Sequence, residues 1–260
     1  MNHPVGLEAI RAFLADTYVG VPGTRLRRED EKKCRELVGL LAEIAGASAR
    51  VGRGANPLRI VDAAAGKGYV GLSAAVLLSP VLRRDVRVTF IEREAGRVEA
   101  ICRACRAAGL GDGTVDIRCS DVADGRSWPQ EPDLVVALHA CGDATDRTLE
   151  AATRARAKCI LVIPCCVASW LPSASRASAL AEQLGLPRQA EVRRRYVEAH
   201  VLSERLWALE AAGWQTEAVP FVASAVTPYN VVLRARRVGE PHRMRDAAGR
   251  LERLRQPFRT

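Results

Sequence analysis

From residue 58 onward the chain alternates short apolar runs with stretches of helical periodicity, and this alternation restricts the fold more than any other feature. Leu58–Asp62, Val86–Glu92, Val115–Asp121, Asp133–Leu138 and Lys158–Pro164 have the length and apolar character of buried strands. Helices are predicted between them at Gly68–Leu78 (stopped by Ser79-Pro80), Arg93–Ala108 and Asp146–Ala157. Parallel strands need crossover connections, and crossover helices bury their apolar sides on the sheet, so the pattern implies a parallel sheet covered on both faces. A helix at about 198–212 and two runs, Trp214–Val222 and Asn230–Arg236, follow; the short joint between the runs predicts an antiparallel pair.

The flanks differ from this core. Residues 1–50 read as two helices around the turn Gly20-Val-Pro22-Gly23, the second carrying Leu26, Cys34, Leu37, Leu40, Leu41 and Ile44 mostly at helical spacing. The loop Gly52-Arg-Gly54-Ala-Asn-Pro57 ends it, which sets an N-terminal helical appendage over residues 1–55 and the sheet domain over 56–238. Within that domain, residues 165–197 show no regular pattern and are expected to form a lid or binding segment. Residues 239–260 read as a basic, polar tail with one weak helical pattern through Met244, Leu251 and Leu254.

Composition narrows the class. A chain of 260 residues suits one buried α/β domain with an appendage. No apolar run approaches the ~18 residues of a membrane helix. The start, MNHPVGLEAIRAF, lacks the pattern of a secretory signal, so a cytoplasmic protein is expected. The eight cysteines fall inside helical and strand patterns and are expected to be reduced thiols. The net charge of +9 favours an anionic partner such as nucleic acid. With 35 Arg against 4 Lys, a compositional bias with a solvated basic surface explains the charge equally well, and both readings stay open.

The chemistry gathers at strand ends. Asp62 closes the first strand, and Asp62-Ala-Ala-Ala-Gly66-Lys67-Gly68 turns directly into a helix, with two glycines that allow a ligand to approach the backbone. Glu92 ends the second strand, where a carboxylate can hold a ribose diol, and Asp121 closes the third, where an adenine amino group needs an acceptor. Gly66-Lys-Gly68-Tyr-Val-Gly71 also matches the dinucleotide fingerprint, so spacing alone leaves a dehydrogenase open.

Further segments make the pattern specific: Leu138-His139-Ala-Cys141-Gly142-Asp143-Ala-Thr145-Asp146, Pro164-Cys165-Cys166, Thr227-Pro228-Tyr229-Asn230 and Lys32-Lys33-Cys-Arg-Glu36-Leu37. Together with the first loop they resemble a family of class I methyltransferases that includes the eukaryotic tRNA 2′-O-methyltransferase of the acceptor stem, over roughly residues 30–236. One position departs from that family, Ala64 standing where the loop has its first glycine, and the zinc-finger modules of the tRNA enzyme are missing. The resemblance implies a Rossmann-like, mostly parallel seven-stranded sheet with an antiparallel last strand, and S-adenosyl-L-methionine as cofactor. It implies cofactor contacts from Asp62, Ala64, Gly66, Lys67, Gly68, Tyr69, Glu92, Asp121, Val122, Leu138 and His139.

His139, Cys141, Asp143, Cys165 and Cys166 are the candidate catalytic residues. His139 reads either as a general base or as a strand-end cap touching the cofactor. Cys141, Cys165 and Cys166 should approach one another and read as nucleophilic thiolates, metal ligands or small packed residues; packing is the preferred reading and no metal is expected. The Cys102-x-x-Cys105 pair is read as structural. Lys32, Lys33, Arg193, Arg194, Arg195, Tyr196 and Asn230 are candidate substrate contacts, and Lys67→Arg is expected to weaken cofactor binding because an arginine fork does not replace a compact ammonium. RNA, tRNA or rRNA, is the leading substrate; a small-molecule or protein substrate, and a cofactor-binding protein without catalysis, are the alternatives. No membrane partner is expected.

Overall fold

The computed structural model describes residues 3–19, 26–52 and 57–256; the turn expected at Gly20–Gly23 and the centre of the loop expected at 52–57 lie outside them. Strands β1 (Leu58–Ala63), β2 (Val86–Glu92), β3 (Val115–Cys119), β4 (Leu134–Leu138), β5 (Cys159–Ile163), β6 (Trp214–Pro220) and β7 (Val231–Arg237) form one sheet. Its order is β3-β2-β1-β4-β5-β7-β6. The first five strands run parallel, while β7 is antiparallel to both β5 and β6. This is the α/β sheet expected from the sequence. The antiparallel β7 between β5 and β6 separates it from the parallel 3-2-1-4-5-6 order of dinucleotide-binding dehydrogenases. Strand order reverses between β1 and β4, and the crevice at the carboxyl ends of those two strands is where open α/β sheets bind ligands.

Both faces are covered. Helices α1 (Leu7–Leu14) and α2 (Arg28–Arg50) pack on one face, where Leu37, Leu40, Leu41 and Ile44 of α2 share a cluster with Leu58, Ile60, Phe90 and Leu134. Those four α2 side chains are fully buried, and each such burial stabilises by about 1.5–3 kcal/mol, which fixes α2 against the sheet. The opposite cluster is built on Val61, Val135, Ala137 and Trp214.

Three local expectations need correction. The helix after β1 does not stop at Ser79-Pro80: α3 (Tyr69–Ser73) passes through a wide five-residue turn at Ala74–Leu78 into α4 (Ser79–Leu82). Pro80 lies in the first turn of α4, where its missing N–H is not required. After α5 (Ala95–Ala107) and α6 (Ala144–Arg154), the segment 165–197 is not irregular, because it contains α7 (Pro172–Gln183) and the start of α8 (Ala190–Ala211). Its buried stripe is Ala174, Ala177 and Ala181, a helical spacing made of methyl groups too small to register as an apolar periodicity. The basic tail is largely a helix, α9 (Pro241–Arg255), held to α8 by Arg255–Glu204 and Arg243–Glu210 ion pairs and by Arg250 stacked 5.0 Å from the Trp207 ring centre. Among the described residues, no helix is long and apolar enough to cross a membrane.

Candidate active site

The loop after β1 is locked by its own neighbours. Asp62 is buried at the end of the strand, and its Oδ2 accepts a 2.8 Å hydrogen bond from the Gly71 N–H on α3. Burial pushes the Asp62 carboxyl up to about 7, with the Gly71 bond working against that and the charge of Glu92 adding to it. The chain then turns through left-handed backbone at Ala64 (φ +51°), Gly66 (+60°) and Gly68 (+79°). The unusual alanine therefore sits where the backbone itself favours glycine. Gly71, which completes the dinucleotide-like spacing, serves packing: a Cβ there would lie 2.4 Å from Phe90 Cε1 and 2.7 Å from Val88 Cγ1.

Glu92 ties the loop to β2. Its two carboxylate oxygens accept from the Gly66 N–H (2.8 Å) and the Glu94 N–H (3.0 Å), so the group is fixed while keeping further lone pairs for a ligand. Ala64, Glu92, Asp121, Val122 and His139 line one cavity of about 260 Å³, together with Arg93, Cys141, Asp143 and Arg147. The sequence reading missed the two arginines. Arg93 and Arg147 lie 3.5 and 3.6 Å from the Asp121 carboxylate, and Arg147 also pairs with Asp143. The backbone N–H of Ala123, followed by these cations, holds Asp121 below the usual carboxylate range.

Six expected cofactor contacts stand outside that lining: Asp62, Gly66, Lys67, Gly68, Tyr69 and Leu138. Asp62 is engaged by Gly71, Leu138 packs with the core, and the Lys67 side chain is exposed. Lys67 is engaged through its backbone carbonyl, which accepts a 3.0 Å bond from the Tyr18 hydroxyl. Tyr69 packs against Tyr18 with ring centres 4.4 Å apart and the rings tilted by 44°, which brings the N-terminal region onto the loop.

The loop after β4 is held from far away in sequence. His139 also has left-handed backbone (φ +62°), and its N–H donates to Ile163 O at 3.1 Å, extending the β4–β5 ladder by one residue. Its Nε2 lies 3.0 and 3.1 Å from the two carboxylate oxygens of Glu36 on α2. Glu36 is wholly buried, and Lys33 Nζ donates to it at 2.9 Å while Lys32 Nζ lies at 3.8 Å. Burial would raise the Glu36 carboxyl, but hydrogen bonds from His139 and Lys33 outweigh it and hold the group below its ordinary value. The two lysines expected to meet substrate thus serve a buried carboxylate, because α2 packs beside the β4 strand end. Glu36 carries the arrangement that sequence spacing alone did not reveal. With Nε2 facing Glu36, His139 Nδ1 remains, and it is buried without a hydrogen-bond partner among the described residues.

The three cysteines converge. The Sγ atoms of Cys141 and Cys165 are in bonding contact, with Cα atoms 5.9 Å apart, which corrects the expectation of reduced thiols throughout. Parallel neighbours β4 and β5 end side by side, so the loops leaving them bring these residues together across 24 positions. Cys102 and Cys105 lie within helix α5.

A second cavity of about 290 Å³ is lined by Cys165, Cys166, Arg195, Tyr229 and Asn230. Asn230 Nδ2 donates to Val222 O at 2.9 Å and Thr227 Oγ1 accepts from the Tyr229 N–H at 3.3 Å, so the late motif closes the β6–β7 turn beside the cysteine pair. The arginine run is largely self-neutralised. Arg193 donates to Leu186 O and Pro187 O, Arg194 pairs with Glu191 and Glu198, and Arg195 pairs with Glu191. Tyr196 faces the His200 ring at 6.0 Å on the same helix.

Residues 32–170 match the family model described as a methyltransferase domain. Among solved structures, the chain is similar to magnesium protoporphyrin IX methyltransferase from Synechocystis PCC 6803 with bound SAH, at 12% identity and TM-score 0.48 over 89% of this chain and 99% of that one. It is also similar to an rRNA methylase from Streptococcus thermophilus, at 8% identity and TM-score 0.45 over 76% and 96%. A third likeness is to precorrin-6y C5,15-methyltransferase from Geobacter metallireducens GS-15, at 16% identity and TM-score 0.47 over 75% and 87%. No curated protein matches the chain by sequence.

Proposed function

The chain belongs to the methyltransferase-domain family, and we propose that it transfers the methyl group of S-adenosylmethionine to RNA, with tRNA or rRNA as the substrate class. The observation that carries the cofactor reading is the cavity at the β1/β4 switch point, with Glu92 and Asp121 at successive strand ends around it. Glu92 is pre-fixed by two backbone N–H groups and offers acceptors to a ribose diol. Asp121 offers acceptors at the next strand end, and Ala64 forms the wall nearest the loop. His139 lines the same cavity, and its buried Nδ1 has no hydrogen-bond partner among the described residues, which fits a site whose polar balance is completed by a ligand.

When bound, the cofactor supplies an electrophilic sulfonium methyl group. The chain's own part is to hold the acceptor in line with that methyl, since orientation provides much of the rate in such transfers. Glu36 fixes the His139 ring and takes up Nε2, so His139 acts as a positioning residue for the β4 loop. Cys141 and Asp143 border the first cavity, and Cys165, Cys166 and Asn230 border the second, so the acceptor would enter along the second toward the first.

The net charge of +9 supports an RNA acceptor. A small-molecule or protein acceptor is favoured by a different observation, the ion pairs that tie up Arg194 and Arg195 within their own helix. Incubation with labelled S-adenosylmethionine and separated RNA, protein and metabolite pools decides between them. RNA is expected to carry the label, with binding that weakens steeply as salt rises; label confined to metabolites or protein overturns the RNA reading.

A further inference from the structure

A bridge between Cys141 and Cys165 uses two sulfurs and leaves a third unexplained. Cys166 Sγ lies 3.8 Å from Cys165 Sγ, and the three sulfurs all lie within 4.8 Å of one another. We propose that, in the reduced protein, Cys141, Cys165 and Cys166 form a three-thiolate site for a thiophilic divalent cation, Zn²⁺ in the first instance, with its fourth coordination position open.

The spacing fits the ion. Zinc–thiolate bonds of about 2.3 Å place ligand sulfurs about 3.7–4.0 Å apart around one metal. The Cys165–Cys166 separation of 3.8 Å meets this, and Cys141 and Cys165, in bonding contact here, reach it once reduction lets them part. Neighbouring cysteines on a strand would point to opposite faces and could not share an ion. Here β5 has ended at Ile163, Pro164 follows, and the chain beyond it turns both thiols toward Cys141. Simple packing does not ask for such convergence: Cys34, Cys105 and Cys159 are buried singly within the hydrophobic core. The backbone is preset as well, because Leu138 and Ile163 are register partners and the two loops leave the sheet side by side.

Three protein ligands with an open position is the form of a reactive zinc site, while structural sites are closed by a fourth residue. Cys141 lines the first cavity, whereas Cys165 and Cys166 line the second, so the open position lies at their junction. That the junction receives the methyl acceptor rests on the methyltransferase reading; the cation itself does not.

The test is metal analysis of the full chain, purified under reducing conditions, stripped and reloaded with Zn²⁺. One zinc per chain is expected, with affinity lowered by about tenfold or more in each of Cys141→Ser, Cys165→Ser and Cys166→Ser. A Cys102→Ser/Cys105→Ser variant should retain full affinity. Titration with Cd²⁺ should give a thiolate charge-transfer band that is diminished in each single variant and unchanged in the control. Substoichiometric zinc in fully reduced protein, or a band indifferent to the three substitutions, overturns the proposal. So does a Cys141–Cys165 bridge that survives reduction. None of these readouts depends on methyl transfer, so an inactive but zinc-loaded protein would count against the methyltransferase reading alone.

Discussion

The loops that leave β1 and β4 are neighbours at the same sheet edge, and both bend through left-handed backbone at a residue other than glycine, Ala64 in one and His139 in the other. They are held by opposite means. The β1 loop is tied mostly by contacts close in sequence, Gly71 N–H to Asp62, 9 residues apart, and Gly66 N–H to Glu92, 26 apart, with one longer bond from the Tyr18 hydroxyl to Lys67 O, 49 apart. The β4 loop is tied through His139 to Glu36, 103 residues away on α2. One loop is fixed chiefly by the unit that contains it, the other by a helix from outside that unit.

The largest expected effect tests the local anchor. Asp62 is wholly buried with its carboxyl raised to about 7, so between roughly pH 4 and 7 the folded state holds a proton that the unfolded chain has released. The stability this contributes is complete below pH 4 and is lost as pH rises through 7. A rise from the ordinary carboxylate value to about 7 corresponds to about 4 kcal/mol over that range. In Asp62→Asn the amide oxygen still accepts from Gly71 and nothing titrates. Denaturant unfolding from pH 4 to 8 should therefore show wild type losing stability relative to the variant. Parallel curves would mean that Asp62 keeps an ordinary carboxylate pKa.

The distant anchor comes next. Glu36→Ala leaves Lys33 and His139 facing a buried gap, and removal of one partner from a buried pair costs several kcal/mol. The expectation is about 3 kcal/mol, at the lower end because both lysines reach solvent. Because burial is outweighed and Glu36 is held below its ordinary value, its contribution is present above pH 4 and is lost as pH falls through the folded value, the reverse of Asp62. A double-mutant cycle with His139→Gln should show strong coupling. Additive effects would show that the β4 loop stands without α2.

This contrast also explains what could be read from the sequence. Asp62, Glu92 and Asp121 are legible because a strand of known period must end near a polar residue and a glycine-bearing turn must follow it. The partnership of Glu36 with His139 is not legible, since no periodicity links residues on separate elements. The convergence of Cys141 with Cys165 and Cys166 could be inferred from adjacent strand ends, though not its closeness. Helix α7 was hidden by alanines, and α9 by being polar nearly all round and held by ion pairs, which an apolar pattern cannot detect. The run Arg193–Arg195 looks like a binding surface in one dimension; on a helix, Glu191 and Glu198 fall at the spacing that neutralises it.

A smaller effect separates glycine's two uses in the β1 unit. Gly71→Ala would place a methyl group 2.4 Å from the Phe90 ring, between α3 and β2. Overpacking of this kind costs about 2 kcal/mol. At Gly142 in the β4 loop, a methyl would lie 3.3 Å from Trp170, whose ring is exposed and can yield, so Gly142→Ala should cost less and mainly through its φ of +63°. Thermal unfolding of the two variants gives the ranking, and a reversal would mean that the β4 loop is the tighter of the two.

The smallest effect bears on the residues at which the two bends begin. Ala64 at φ +51° carries a methyl group in left-handed backbone, a strain of about 1–2 kcal/mol. Ala64→Gly relieves it but gives the unfolded chain more freedom, worth about 0.4–1 kcal/mol in the opposite direction. The net is a stabilisation of about 0.5 kcal/mol, with cofactor affinity by calorimetry changed less than about twofold, since the backbone already follows the glycine path. His139→Gly relieves the same strain but loses the bond to Glu36, leaving a buried carboxylate with its lysines alone, so it should destabilise. Opposite signs at two residues with nearly the same φ would show that the β1 bend is set by backbone geometry and the β4 bend by the side chain that α2 grips. Equal signs would mean that both loops are governed by backbone strain.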